Sequence, residues 1–274
     1  MCVGDSSSSG GGGGGDNQGG LGDVLAEQVA GLFETAPDLP VTSSRSGDGF
    51  SMEVRLRFGG NDDNDKDGAA VMTSIAEARI PGIPPSAFKG FLVNFKESME
   101  ADPAIQRLDI VRADGDGDPD DDSNNNNSGF RREGVRLFLK FPFPLSNRVM
   151  VHWKYLSLGY QGDPDEHLLI LSERDNEALL ETVLPADDRR GYVLGRTFLA
   201  AYWIQPLREN GNGGGGTITG TTIKYVFSGD LGGSIPAKIQ EWTAPQNMLR
   251  TIQSVVTYGR NHHHHQAAAA AAAK

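Results

Sequence analysis

The amino-acid order predicts an α+β domain: a curved antiparallel β-sheet wrapped around a long C-terminal α-helix, with an internal hydrophobic cavity. Three observations carry that expectation. Short segments that alternate apolar with polar, or run apolar, follow one another from Phe50 to Phe227. Turn-rich spacers separate them, the pattern of consecutive antiparallel strands. From Ser228 to Tyr258 the period changes: Ile235, Ile239, Trp242, Leu249, Ile252 and Val256 recur at spacings of three, four or seven, one face of a helix. A long amphipathic helix after the last strand has only the sheet on which to bury its stripe. A curved sheet holding a helix in this way commonly encloses a cavity.

Each element has its own signal. Residues 21–34 place Leu21, Val24, Leu25, Val29, Leu32 and Phe33 on one helical face. Residues 50–58 alternate Phe50, Met52, Val54, Leu56 and Phe58 with polar partners, so this is a half-buried strand. An acidic tract at 61–67 is the hairpin loop and 69–80 the return strand. After the turn at 81–85, Ser86 is a candidate N-cap. Phe88, Phe91, Leu92, Phe95 and Met99 then form a second amphipathic helix. Strands are predicted at 105–111, 135–141, 149–158, 167–172, 179–184, 192–205 and 217–227. Gly229, Gly232 and Gly233 make the turn before the last helix, Ser234 caps it, and Pro236 sits in the first turn, where a missing N–H costs nothing. Pro245 interrupts the hydrogen-bond ladder midway, predicting a bend near Ala244. Residues 1–20 are a Ser/Gly-rich leader expected to be disordered, 21–260 one domain, and 261–274 a low-complexity His/Ala tail.

Composition excludes several functions. The net charge is −11, but the tracts at 61–67 and 114–122 hold −3 and −6 of it. The remainder of the chain stands near neutrality and has no basic face for nucleic acid. The one cysteine, Cys2, lies in the leader, so the core holds no disulfide, Cys-ligated zinc or Cys–His pair. No apolar run reaches bilayer-spanning length, and the N-terminus lacks a signal pattern; a cytoplasmic location is the expectation. Asp63, Asp65, Asp67 and Gly68 begin like a calcium loop, but the closing position is Ser74 and the flanks read as strands. Neither a metal nor a cofactor is expected. Sequence motifs of hydrolases, metalloproteases and nucleotide-binding proteins are absent.

Three stretches resemble START domains, the StAR-related lipid-transfer family. They are FPFPLSNR at 141–148 followed by VMVHWKY, GYVLGRTFLAAYWIQPL at 191–207, and SGDLGGSIPAKIQEW at 228–242. They stand in the family's order, and the resemblance covers roughly 69–258. It implies a helix-grip fold that binds one lipid in a hydrophobic tunnel, with the C-terminal helix as a lid and no catalysis or metal. Leu137 stands where choline-binding members carry an aromatic residue, and Leu194 where many members carry Arg.

The resemblance also assigns candidate lipid contacts. Thr197, Leu199, Ala201 and Trp203 occupy alternate positions of one strand and Val135, Leu137 and Leu139 of another. On periodicity alone they are either packed core or the wall of a tunnel; the resemblance points to the wall. Lys154, between Trp153 and Tyr155, is either a head-group partner or a solvent-facing residue. Ile239, Trp242, Leu249 and Ile252 are expected to form the roof. The functional expectation is a monomeric, non-enzymatic protein. It would bind a sterol, phospholipid or sphingolipid, make transient contact with membrane surfaces, and transfer or sense the lipid. The alternatives are a cyclase-like enzyme of the same fold, which would need two or more buried titratable groups facing the cavity, and a scaffold whose cavity has collapsed below about 300 Å³.

Overall fold

The computed structural model describes residues 20–47, 50–60, 70–100, 104–111, 130–141, 145–174, 191–209, 216–232, 235 and 237–272. The leader, both acidic tracts, the strand expected at 179–184 and the Ser234–Pro236 cap lie outside the described residues. In chain order the elements are α1 (Leu21–Thr35), β1 (Val41–Gly47), β2 (Phe50–Gly60), β3 (Ala70–Pro81), α2 (Ser86–Val93), α3 (Phe95–Glu100), β4 (Ile105–Val111) and β5 (Arg131–Leu139). They continue with β6 (Asn147–Leu158), β7 (His167–Ser172), β8 (Tyr192–Leu194), β9 (Arg196–Glu209), β10 (Thr217–Asp230) and α4 (Ala237–Ala272). Among the described residues the sheet has ten strands and runs β1-β2-β3-β10-β9-β7-β6-β5-β4, with β8 beside β6. Every pairing is antiparallel except the short parallel contact of β8 with β6.

Both faces of the central strands are covered, so β6 is buried continuously from Arg148 to Ser157 instead of alternating. On the outer face lies α1. Its Leu25, Ala26, Val29 and Phe33 pack with Val151, Trp153 and Tyr155 of β6, Leu168 and Ile170 of β7, and Leu199, Ala201 and Trp203 of β9. On the inner face lie α2, α3 and α4. There Phe88, Phe91, Phe95, Ile252, Val255 and Val256 pack with Met150, Leu169, Leu171, Ala200, Tyr202, Ile204 and Tyr225. The aromatic centre of this face is Tyr202, stacked on Tyr225 at 4.4 Å between ring centroids and met edge-on by Phe91 at 5.6 Å. Helices α2 and α4 approach closely because two glycines allow it. A side chain on Gly90 would meet the Tyr258 hydroxyl at 2.6 Å, and one on Gly259 would collide with the Phe88 ring.

Several expectations are corrected. Val24 is exposed; the buried face of α1 is Gly22, Leu25, Ala26, Val29 and Phe33, because Gly22 admits the Phe130 ring against the backbone. The helix expected through Met99 breaks at Asn94, whose N–H donates to Gly90 O. Pro85, not Ser86, occupies the N-cap of α2, with no side-chain bond. Strand β1, VTSSRSG, has no apolar alternation and owes its place to backbone pairing with β2. Finally, α4 runs 36 residues through Pro245 and on through the His and Ala run. Extending an existing helix over alanines is cheap, since nucleation is already complete and Ala is the best helix former.

Candidate functional site

The three stretches that carried the family resemblance meet in space at the start of α4. Arg148, buried on β6, donates from Nε to Leu231 O at 2.8 Å, from Nη2 to Gly232 O at 3.2 Å, and from Nη1 to Ser146 O. Burial pulls its pKa below the usual arginine value while the Asp230 carboxylate opposes that shift. Asp230 Oδ1 accepts the Gly232 N–H at 2.8 Å. Gly232 has φ +71°, and a side chain there would also strike Leu194 O; only glycine fits the position without strain. Gly195 N–H donates to Val149 O at 2.9 Å, seating β8 beside β6. The three segments thus build one junction, which fixes where the last helix leaves the sheet.

Between the inner face and α4 lies a cavity of about 350 Å³. Its wall is mainly apolar: Met72, Phe95, Leu137, Leu139, Met150, Leu171, Ala200, Tyr202 and Phe227 contribute from the sheet and α3. Helix α4 adds Thr243, Ala244, Gln246, Asn247, Met248, Arg250 and Thr251. Besides Tyr202 and Tyr225, three polar side chains sit on the sheet side. Thr197 Oγ1 donates to Met150 Sδ at 3.3 Å. Ser74 Oγ and both ring nitrogens of His152 are buried with no hydrogen-bond partner among the described residues. His152 is 1% exposed, and desolvation pushes its pKa down to about 4. An unpaired buried imidazole is costly in a finished core, so its presence on a cavity wall is a chemical signal.

The expected contacts divide. Leu137, Leu139 and Thr197 line the cavity. Val135 is buried in the inner core beside it. Leu199, Ala201 and Trp203 point the other way, into the outer core under α1. The reason is a bulge: Gly229 pairs with Thr197 and Ser228 with Leu199, leaving Phe198 extra. The inserted residue flips the alternation, so Thr197 and Ala200 share the cavity face. Lys154 is buried, and its Nζ lies 2.8 Å from Glu133 Oε2 and 5.6 Å from the Phe95 ring centroid. Both earlier readings of Lys154, head-group contact and solvent face, give way to an internal ion pair outside the cavity wall. On α4, Ile239 is exposed, Leu249 half-buried and Ile252 fully buried, and none lines the cavity. The Trp242 side chain lies outside those described. The true inward stripe is Ala244, Met248, Ile252 and Val255.

Among the described residues, no group of three His, Cys, Asp or Glu is placed to hold a metal. None of the described helices is long and apolar enough to cross a membrane.

A curved antiparallel sheet closed over an apolar cavity by one long C-terminal helix defines the helix-grip class of fold. No protein-family model matches the chain, and no curated protein matches it by sequence. Solved structures do match. Human StAR-related lipid transfer protein 5 superposes with a TM-score of 0.57 at 15% identity, covering 89% of this chain and 96% of that one. Human STARD10 gives 0.55 at 14%, covering 89% and 83%. A STAR-related lipid transfer protein from Xanthomonas axonopodis gives 0.50 at 16%, covering 80% and 98%. The shared feature at these identities is the helix-grip fold.

Proposed function

We propose that this protein binds one lipid molecule in the inner cavity and transfers it between membranes or senses it. The observation that supports this reading best is the cavity itself, placed between sheet and α4 in a fold shared with lipid transfer proteins. Burying the apolar body of a lipid there gains roughly 25 cal/mol per Å². The polar residues of α4, Gln246, Asn247 and Thr251, border the same space, so α4 forms both wall and lid. Exchange takes place at a membrane surface, where the lipid need not cross water, and the protein acts as a monomer without a cofactor.

Of the expected contacts, the proposal retains Leu137, Leu139 and Thr197. Ala200, Met150 and His152, which the sequence reading passed over, join them. The enzyme alternative required two or more buried titratable groups on the cavity. Among the described residues three such groups, His152, Tyr202 and Tyr225, are both buried and on the wall, so that criterion is met in number. The two tyrosines stack on each other, Lys154 is occupied by Glu133, and the fold shared with lipid transfer proteins favours binding over catalysis. The scaffold alternative required a smaller cavity than the one present.

The test is lipid extraction from protein purified from cells, identified by mass spectrometry, followed by transfer between donor and acceptor vesicles. A stoichiometric co-purifying lipid and transfer above the protein-free rate are the expected results. A protein that carries no lipid and accelerates no transfer contradicts the proposal.

A further inference from the structure

The cavity contains a side chain that a purely apolar container would not need. His152 sits on β6 opposite Val135 of β5, and the neighbouring inward positions on its own strand are Met150 and Lys154. Neither ring nitrogen has a partner among the described residues, and the residue is 1% exposed. Ser74, the other unpaired polar group of the wall, is on β3, with β10, β9 and β7 between it and β6. The two stand on different parts of the wall and do not satisfy each other.

Resting on the lipid-binding reading above, we infer that the bound lipid carries a neutral hydroxyl, and that this hydroxyl is held inside the cavity by the imidazole of His152. A neutral imidazole offers one N–H donor and one nitrogen acceptor, and a hydroxyl is complementary to either. Burial keeps the ring uncharged at neutral pH. An anionic group brought to it would therefore be desolvated without a counter-charge, a costly placement. The nearest cation on the same strand face, Lys154, is already paired with Glu133 at 2.8 Å. The other basic residues on the cavity, Lys140 and Arg250, are exposed. A phosphate head would therefore reside at that exposed rim, whereas a hydroxyl goes to His152. The volume, about 350 Å³, is near the lower end of the roughly 300–1,000 Å³ usual for ligand pockets. It suits a compact or single-chain molecule.

The experiment uses decanol, decane and decyl phosphate as competitors for Nile red bound to the full chain, with His152→Leu and His152→Gln as variants. The parent is expected to bind decanol roughly ten-fold more tightly than decane, the value of about one good buried hydrogen bond. His152→Leu should bind both equally, and His152→Gln, which keeps a donor and an acceptor, should restore part of the preference. In the parent, the NMR shifts of nitrogen-labelled His152 should move with decanol and not with decane. Equal binding of decanol and decane by the parent, or a preference that survives in His152→Leu, overturns the inference while leaving lipid binding intact. So does tighter binding of decyl phosphate than of decanol, or a decanol complex that leaves the imidazole shifts unmoved, as when water alone satisfies the ring. Should no probe displace Nile red, the lipid-binding reading fails with it. If His152→Leu does not fold, the imidazole shifts and His152→Gln decide.

Discussion

On the outer face of the sheet, Trp203 is fully provided for. Its ring lies 6.0 Å from Phe33 and 5.9 Å from Tyr160, Lys224 Nζ stands 5.4 Å from its centroid, and its Nε1–H donates to Glu166 at 2.6 Å. On the inner face, His152 is buried still more deeply and has no partner for either nitrogen among the described residues. Both belong to one continuous sheet, so the contrast is not between a stable and an unstable domain. It teaches that the two layers differ at their centres: the outer one closes round its largest side chain, and the inner one leaves a cavity beside a polar ring. Both layers bury an apolar core; the inner layer also keeps space and an unsatisfied polar group, a cost natural proteins accept where they bind something.

The contrast breaks if the two faces respond alike to mutation. The largest expected effect is on the outer side: Trp203→Ala should lose about 3–5 kcal/mol, as buried Trp truncations do. Chemical denaturation reads the loss, and decanol affinity should stay at the parent level wherever the variant is folded. Next comes pH. The folded His152 pKa, about 4, lies below the unfolded value of about 6.5. Between those values the unfolded chain binds more protons, so stability should rise with pH across this window and level off above it. The full effect is about 3 kcal/mol. Denaturation midpoints measured at several pH values should therefore follow a flatter line in His152→Leu. A residual slope of the same sign remains, because burial also lowers the His167 pKa.

A smaller effect sharpens the comparison at two neighbouring residues. Leu199 faces the outer core and Ala200 the cavity. Leu199→Trp should cost about 1–3 kcal/mol by overpacking and leave Nile red binding unchanged. Ala200→Leu should cost less than that and weaken Nile red binding. The reverse pattern in fluorescence titration and melting would mean the faces are assigned the wrong way round. The smallest effect is at Ile239, which is 38% exposed on α4. Ile239→Ser should stay within about 0.5 kcal/mol of the parent, measured as a thermal midpoint. A larger loss would mean this turn of the helix is covered.

Much of the fold was legible in the sequence, and little of the cavity was. Strands β4 and β7 have the predicted bounds, Ile105–Val111 and His167–Ser172, because each is a short apolar run between turns. Helix α1 ends one residue beyond its prediction for the same kind of reason. Face assignment failed where both faces are buried: in VMVHWKYL the alternation of His152 and Lys154 with Val151, Trp153 and Tyr155 reads as a solvent face, yet that side is buried as well. The bulge at Phe198 then reversed the parity of Leu199, Ala201 and Trp203, and a bulge depends on the partner strand, which local sequence does not reveal. On α4 the expected stripe holds at Ile252 and Val256 and fails at Ile239, which is exposed, while the small Ala244 was passed over as an inward position. One signal for His152 was available. An imidazole two residues before a lysine, in a strand whose other residues from Val149 to Leu156 are apolar or aromatic, needs a partner if the strand is buried. The resemblance was carried by residues that secure the α4 junction, Arg148, Gly195 and Gly232, and these say where the helix starts rather than what lies beneath it.

Among the described residues the sheet ends in β1 on one side and β4 on the other, and these edges bear on colloidal behaviour. An unpaired edge is a template on which another chain can add strands. Strand β1 presents Thr42, Ser43, Ser44 and Arg45 and is irregular between Val41 and Ser43; Arg45 is also tied to Gln253 of α4 at 2.7 Å. Strand β4 carries Arg107 and Asp109, and Arg136 of the adjacent strand clamps Asp109 at 2.7 Å. Charge, irregularity and polarity at both borders discourage fibrous growth, so the molecule can loosen its inner layer without turning its own sheet into a seed for aggregation.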